Sequence, residues 1–238
     1  MLLKSIIEYD GTDYYGWQVQ PDKVTVQGSI EEALKKITGT EIRIKGAGRT
    51  DAGVHAAGQV ASFDYSGNLS LKKLLNALNS VLAESIHIKD IDEASPVFDV
   101  RRDAVYKRYS YSIVLARSPL RRRTAWEYLY PVDINKMKDA GRKLEGTHDY
   151  AALCEVDGKS DEITVDLVEV EQHGDEITIG VQGTGFLYKM VRRMVGIITD
   201  CGRGKIESDI IEKLFSRNKP VQTVTAPAQG LTLEEVKY

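Results

Sequence analysis

The chain has few cysteines, no long apolar run and no Pro-, Gly- or Ser-rich linker. Its two cysteines, Cys154 and Cys201, can form at most one disulfide bond, and neither has a second cysteine or a histidine at zinc-site spacing. Residues 1–8 alternate like a strand rather than a secretion signal, and no apolar stretch approaches the roughly 20 residues of a membrane span. We therefore expect a cytoplasmic protein with reduced thiols, no metal site and no membrane association.

The sequence also lacks an excess of basic charge. The formal net charge is −3, which argues against a nucleic-acid partner. The basic residues are clustered, however, and phosphates respond to the local potential rather than to net charge. A single basic cluster is about equally often a solvent-exposed surface or a binding surface. Four clusters near aromatic residues, however, favour a polyanionic partner. The clusters are Arg101-Arg102, Lys107-Arg108, Arg117 with Arg121-Arg122-Arg123, and Lys189 with Arg192-Arg193.

The periodicity of apolar residues predicts two similar halves. The first reads strand, helix, strand, strand, helix, strand; its first helix is predicted to begin at the capping box Ser29-Ile30-Glu31-Glu32 and to end at Gly39. The second half contains a strand at 107–114, a hairpin at 165–181 and a clear amphipathic helix from Leu187. This order favours an α+β fold of two ferredoxin-like (split βαβ) halves, residues 1–103 and 104–238. Because no linker separates them, we expect a continuous, mostly antiparallel sheet flanked by helices, with a central cleft.

The most informative segment is the glycine-rich loop of residues 46–55. Arg49 and Asp51 lie two residues apart in it, among three glycines. Predicted strands at 42–45 and 59–63 flank the loop, and glycine allows backbone to approach a ligand closely. A charged pair on a loop between rigid strands is typical of a reactive site.

Several kinds of site do not fit this loop. The glycine spacing is neither a dinucleotide fingerprint nor a P-loop, and His55 alone does not supply a metal site. A two-carboxylate glycosidase would need a second acid. Asp64 is a candidate, but nothing in the surrounding sequence indicates that it acts as an acid. A single carboxylate, Asp51, remains as nucleophile or base, with Arg49 nearby to handle an anion; the structural alternative is a turn-capping aspartate.

The segment Ala47-Gly48-Arg49-Thr50-Asp51-Ala52-Gly53-Val54-His55 resembles the signature of the TruA-type tRNA pseudouridine synthases. Residues 8–18, 26–28, 98–101 with 107–111, 186–196 and 230–231 resemble other segments of that family, in the same order. The resemblance implies an isomerase, an intramolecular transferase, that converts uridine to pseudouridine in the anticodon stem-loop of tRNA, at tRNA positions 38–40. It implies no cofactor, because the reaction involves no net redox change. It also implies a homodimer in which one tRNA contacts both subunits.

The resemblance assigns roles to individual residues. Asp51 corresponds to the catalytic nucleophile, Arg192 to its charge partner, and Tyr109 to the tyrosine that stacks on the target base. Leu231 becomes an apolar wall, and Arg49 either contacts the neighbouring phosphate or helps to hold the RNA helix open. A track for the RNA backbone is expected from Arg101, Arg102, Lys107, Arg108, Arg121, Arg122, Arg123, Lys189 and Arg193.

Two rival interpretations remain. A non-catalytic RNA-binding module on the same fold would bind tRNA without modifying it, although the nucleophile, arginine and tyrosine are all present. A phosphoryl hydrolase built on Asp10-Gly11-Thr12 lacks a second aspartate at the required spacing. The route taken by Asp51 also stays open: it could attack the sugar C1′, remove a sugar proton, or add to the base.

Overall fold

The protein, a computed structural model, is described over residues 1–154, 162–217 and 223–238. The chain divides into two compact units, residues 1–105 with 233–238, and residues 106–232. Both combine helices with mostly antiparallel strands, which confirms the predicted α+β class. The ferredoxin-like division at residue 103, the continuous sheet and the central cleft stay predictions.

The first unit has the predicted order of elements. They are β1 (Leu2–Tyr9), α1 (Val26–Thr38), β2 (Lys45–Gly46), β3 (His55–Asp64), α2 (Leu71–Val81) and β4 (Ile86–Glu93). Strand β1 lies between β3 and β4 and pairs antiparallel with both, while β2 extends β3 on its other edge. The inward residues of β1, including Leu3 and Ile7, are fully buried, and β3 is buried along most of its length.

Helix α1 begins earlier than predicted. Thr25 is the N-cap, and its Oγ1 accepts a hydrogen bond from the Gly28 amide at 3.2 Å. Ser29 lies inside the first turn instead, where its hydroxyl donates to the Thr25 carbonyl. The capping-box prediction was therefore wrong, whereas the predicted end at Gly39 is confirmed, since that residue has a left-handed φ of 71°.

The predicted strand at 42–45 is also shorter than expected. Only Lys45 and Gly46 pair with β3. The amide of Ile44 donates to the buried Glu31 carboxylate at 3.0 Å, and the same carboxylate binds Arg43 at 2.7 Å. A side chain of α1 thus satisfies a backbone donor that strand pairing would otherwise use.

The second unit is built on a meander. Its elements are β5 (Tyr106–Val114), β6 (Trp126–Glu127), α3 (Ile134–Lys143), β7 (Gly146–His148), β8 (Ile163–His173), β9 (Glu176–Gly183), α4 (Met190–Gly202) and α5 (Ile210–Arg217). Strand β9 pairs antiparallel with β5 and β8, and β7 pairs with β8, so the predicted hairpin is confirmed. Helix α4 begins at Met190 rather than Leu187, because Lys189 has a left-handed φ of 60°. The last strand, β10 (Leu231–Lys237), ends in the first unit.

No helix within the described ranges combines the length and apolar character needed to cross a bilayer.

Candidate active site

Asp51 lies on the loop between β2 and β3. Side chains of β1 and β3 form hydrogen bonds with this loop. The Gln59 side chain, fully buried on β3, donates to the Gly48 carbonyl at 3.0 Å. The hydroxyls of Thr50 and Tyr9 are hydrogen bonded at 2.8 Å. Burial raises the pKa of Tyr9 to about 12, so its phenol stays protonated at neutral pH. The backbone immediately before Asp51 is therefore anchored to two strands.

The segment of residues 14–17, which follows β1, holds the loop from a second side. The Trp17 amide donates to the Thr50 carbonyl at 3.1 Å, and the Gly53 amide donates to the Tyr14 carbonyl at 3.3 Å. Gly16 has a φ of 85°, and a Cβ there would lie 2.6 Å from the Thr50 oxygen and 3.1 Å from the Asp51 carbonyl carbon. Only glycine fits this contact without moving the loop. Sequence reasoning identified residues 8–18 as a family-like segment but missed that they form the frame around Asp51.

His55 links the end of the loop to the end of β1. Its buried Nδ1 accepts a hydrogen bond from the Gly11 amide at 3.1 Å and lies 3.1 Å from Asp10 Oδ1. The same Asp10 oxygen accepts from both the amide and the hydroxyl of Thr12. Asp10, Gly11 and Thr12 therefore form a turn that orders the loop.

The two charged residues of the loop differ in exposure. Asp51 is partly buried, whereas Arg49 is exposed. Arg49 makes no hydrogen bond or ion pair with any residue that the structure describes, so its guanidinium is available to an anionic ligand. The loop therefore combines a partly buried carboxylate on an anchored backbone with an exposed cation two residues away.

Arg101 and Arg102 lie in a turn that is hydrogen bonded to β2, the strand immediately before the loop. The Asp99 carboxylate accepts from the amides of both arginines and binds Lys45 Nζ at 2.6 Å. Arg101 Nε donates to the Gly46 carbonyl at 3.1 Å. These contacts hold the pKa of Asp99 well below its usual range, chiefly through the Lys45 hydrogen bond.

This pKa shift predicts a pH dependence of stability. Because the folded-state pKa of Asp99 is depressed, its stabilising effect is present above the unfolded pKa of about 3.9 and is lost as the pH falls towards the folded value. We expect Asp99→Asn to lower Tm at pH 7, with the difference from wild type shrinking below about pH 4. Thermal melts from pH 2 to 7 measure this, and a constant difference across that range would contradict it.

In the second unit, Tyr109 is largely buried on β5. It is 7% exposed, lies opposite Val181 of β9, and contacts the Phe186 ring edge-on with centroids 5.2 Å apart. The neighbouring side chain on the same face, Tyr111, is fully buried, and burial raises its pKa. The ring of Tyr109 is thus held in one orientation by its neighbours.

Arg192 lies on α4 and is fixed by the segment that precedes β10. Its Nε donates to the Ala226 carbonyl at 2.7 Å, and the Ala226 amide donates to the Arg192 carbonyl at 3.1 Å. The hydroxyl of Tyr111 donates to Pro227, the next residue, at 2.8 Å. The same segment leads into Leu231, which is buried. One short stretch of chain therefore connects the positions of Arg192 and Leu231 with the strand that carries Tyr109, a link with no signal in the sequence.

Many of the cations predicted to contact the RNA backbone have protein partners. Arg102 pairs with Asp103, Arg108 with Glu169, and Arg121 with Glu176, all at 2.8–2.9 Å. Arg122 and Arg193 donate to the carbonyls of Pro119 and Cys154. Lys107 and Lys189 are partly buried, and Arg123 is exposed. Exposed ion pairs contribute only about 0–1 kcal/mol, so phosphates could replace such partners.

Over the described part of the chain, no cluster of three or more His, Cys, Asp or Glu side chains is arranged to hold a metal ion.

Comparisons with known proteins agree with the resemblance of the loop. A family model described as "tRNA pseudouridine synthase" matches residues 6–103 and 140–238. The tRNA pseudouridine synthase A of Brevibacillus brevis is 42% identical over 243 residues, covering 99% of both chains. Proteins of the same name are 41% identical over 240 residues in a Thermoanaerobacter species, with 98% of both chains covered, and 42% identical over 241 residues in Pelobacter propionicus, with 99% covered.

Among solved structures, the "Crystal Structure of a Cbf5-Nop10-Gar1 Complex" overlaps 82% of this chain and 54% of that one, with a TM-score of 0.34 and 13% identity, a likeness too low to support an argument. The family model and the curated relatives, by contrast, span most of the sequence. The chain belongs to the tRNA pseudouridine synthase family.

Proposed function

We propose that this chain converts uridine to pseudouridine in the anticodon stem-loop of tRNA, with Asp51 as the nucleophile. The observation that carries the proposal is the loop of residues 46–55. Its sequence matches the family signature, and hydrogen bonds from β3 and from residues 14–17 fix its backbone on both sides of Asp51. An anchored backbone at the nucleophile suits this chemistry, because a misplacement of about 1 Å can reduce a rate about a hundredfold.

The reaction exchanges one bond for another. The bond from uracil N1 to the ribose C1′ breaks, the base turns, and a bond from C5 to C1′ forms. C5 loses a proton and N1 gains one, so no electrons are transferred to an outside acceptor. Attack of Asp51 on C1′, removal of a sugar proton and addition to the base all require the carboxylate beside a nucleotide taken out of the RNA stack.

We assign three further roles to residues of the second unit on the basis of the family resemblance. Tyr109 stacks on the extruded base, which contributes about 1–3 kcal/mol towards the few kcal/mol that extrusion costs. Its contact with Phe186 supports this role by fixing the plane of the ring. Arg192 orients the Asp51 carboxylate and balances its charge, and Leu231 provides an apolar wall.

The remaining cations serve the RNA backbone. We assign a phosphate next to the reactive nucleotide to Arg49, since this exposed guanidinium has no partner among the described residues. The track consists of Arg101, Arg102, Lys107, Arg108, Arg121, Arg122, Arg123, Lys189 and Arg193. Contacts of this kind position the RNA and make binding depend on salt, without reading its sequence. Family resemblance supports a cytoplasmic homodimer that acts on tRNA without a cofactor.

The direct test is to incubate the purified protein with unmodified tRNA, adding neither cofactor nor metal, and to map the modified nucleotides. We expect pseudouridine in the anticodon stem-loop. Tight tRNA binding with no pseudouridine at any position would favour the non-catalytic RNA-binding module. Pseudouridine found solely in another arm of the tRNA would contradict the proposed substrate site.

A further inference from the structure

Residues 15–24 form a loop within the connection between β1 and α1, and hydrogen bonds tie the two ends of this loop together. The Tyr15 amide donates to the Val24 carbonyl at 2.9 Å, and the Val26 amide donates to the Gly16 carbonyl at 3.2 Å. The Gln20 side chain donates back to the Tyr15 carbonyl at 2.7 Å. Asp22 makes the tight turn at the tip with a φ of 57°, a conformation that aspartate tolerates better than most residues. These hydrogen bonds give the loop a defined backbone conformation within the first unit.

Tyr15 lies between two residues that contact the loop that carries Asp51. The residue before it, Tyr14, accepts the hydrogen bond from Gly53, and the residue after it, Gly16, packs on the Asp51 carbonyl. The loop of residues 15–24 and the loop that carries Asp51 are therefore joined at this point.

The side chain of Tyr15 faces solvent together with a lysine. The ring is 52% exposed, and Lys23 Nζ lies 4.3 Å from its centroid. Over the described ranges, the structure gives neither the Tyr15 hydroxyl a hydrogen bond nor the Lys23 ammonium a carboxylate. Lys35, Lys36 and Lys45 of the same unit pair instead with Glu41, Glu32 and Asp99, at 2.6–2.9 Å.

An exposed aromatic ring can stack on a base, and a lysine ammonium without a carboxylate partner can bind a phosphate. Together they match the two parts of a nucleotide. Since the lysine lies over one face of this half-exposed ring, we place the base on the other face, because every base can stack on an aromatic ring. The ammonium can at the same time contact a phosphate. If this pair had only a structural role, neither the Tyr15 ring nor the Lys23 ammonium would need to be exposed to solvent.

We propose that Tyr15 and Lys23 bind a nucleotide next to the reactive uridine: Tyr15 stacks on its base and Lys23 contacts an adjoining phosphate. This inference rests on the proposed function, because Asp51 defines where the reactive uridine lies. It adds a binding pair that belongs to none of the four basic clusters in the sequence.

The test measures tRNA affinity at several salt concentrations in the Asp51→Asn background, so that the substrate is not consumed. We expect Tyr15→Ala to weaken binding about tenfold and Tyr15→Phe to bind like the parent, because the phenyl ring still stacks.

Lys23→Gln should reduce the slope of log K against log salt by about 1. Lys73→Gln is the matched control: it removes the same charge from an exposed lysine on α2 and should change neither quantity.

The proposal fails if Tyr15→Ala and Lys23→Gln both behave like Lys73→Gln. The stacking role fails if Tyr15→Phe binds as weakly as Tyr15→Ala. Thermal melts of each variant detect unfolding, and Lys23→Gln remains decisive even if Tyr15→Ala does not fold, because the exposed Lys23 side chain contributes no buried packing.

Failure of this inference and failure of the proposed function give different results. If the wild-type chain makes pseudouridine while the Tyr15 and Lys23 variants bind normally, the inference alone is wrong. If the wild-type chain makes none, the proposed function is wrong even where tRNA binding depends on Tyr15 and Lys23.

Discussion

Asp51→Asn is expected to reduce pseudouridine formation by about a thousandfold or more, while tRNA binding and Tm stay near wild type. The amide has nearly the same shape as the carboxylate but lacks the negative charge that a nucleophile or base needs. The loop should keep its conformation, because its frame uses the backbone of Thr50 and Gly53. Quantifying pseudouridine under single-turnover conditions, alongside a binding isotherm, separates chemistry from affinity.

The matched control for this prediction is Asp64→Asn. Asp64 is an exposed aspartate at the end of β3 and is the second acid that a two-carboxylate mechanism would need. We expect this variant to retain wild-type activity. Substantial product from Asp51→Asn would reject the assignment of the nucleophile, and loss of product in Asp64→Asn would indicate that two carboxylates take part.

Gly16→Ala is expected to have the second largest effect, lowering the rate of product formation about tenfold to a hundredfold. The added Cβ would lie 2.6 Å from the Thr50 oxygen, so the backbone beside Asp51 must shift. The left-handed φ of 85° adds about 1–2 kcal/mol of strain and the overpacking about 1–3 kcal/mol, so Tm should also fall. Single-turnover rates and thermal melts measure the two effects separately.

Gly39→Ala separates the strain from the clash. Gly39 is also left-handed, with a φ of 71°, but a Cβ there would meet nothing within 4 Å. We expect this variant to lose about 1–2 kcal/mol of stability, because a residue with a Cβ disfavours the left-handed conformation, and to keep its catalytic rate. Equal rates in the Gly16→Ala and Gly39→Ala variants would show that the contact between residue 16 and the loop does not position Asp51.

The order of elements could be predicted because it depends on neighbours in the chain. Gly39 ends α1 as predicted, and the glycine at 174, with a φ of 59°, makes the turn of the hairpin between β8 and β9. The start of α1 was less predictable, since Thr25 and Ser29 are both good caps and the backbone around Trp17 favours the earlier one. Gly16 and Trp17 bind the amides of Val26 and Gln27, which places the first turn there.

The charge pattern was harder to interpret. Arg108 and Arg121 belong to predicted basic clusters, yet their carboxylate partners lie 61 and 55 residues further along the chain. Lys23 belongs to no cluster, yet it is the exposed lysine that reaches Tyr15. Local charge density therefore indicated a polyanionic partner but did not identify which cations are neutralised inside the protein.

The amino-acid sequence was sufficient to identify the family, the α+β class and Asp51 as the candidate nucleophile, because a contiguous signature and short-range periodicity carry that information. The frame of the loop emerged when residues distant in sequence came into contact, such as Tyr9 with Thr50, 41 positions apart. The placement of Arg192 likewise depends on Ala226, 34 positions away. These hydrogen bonds form when burial brings their groups together, and a linear pattern does not record which groups will meet.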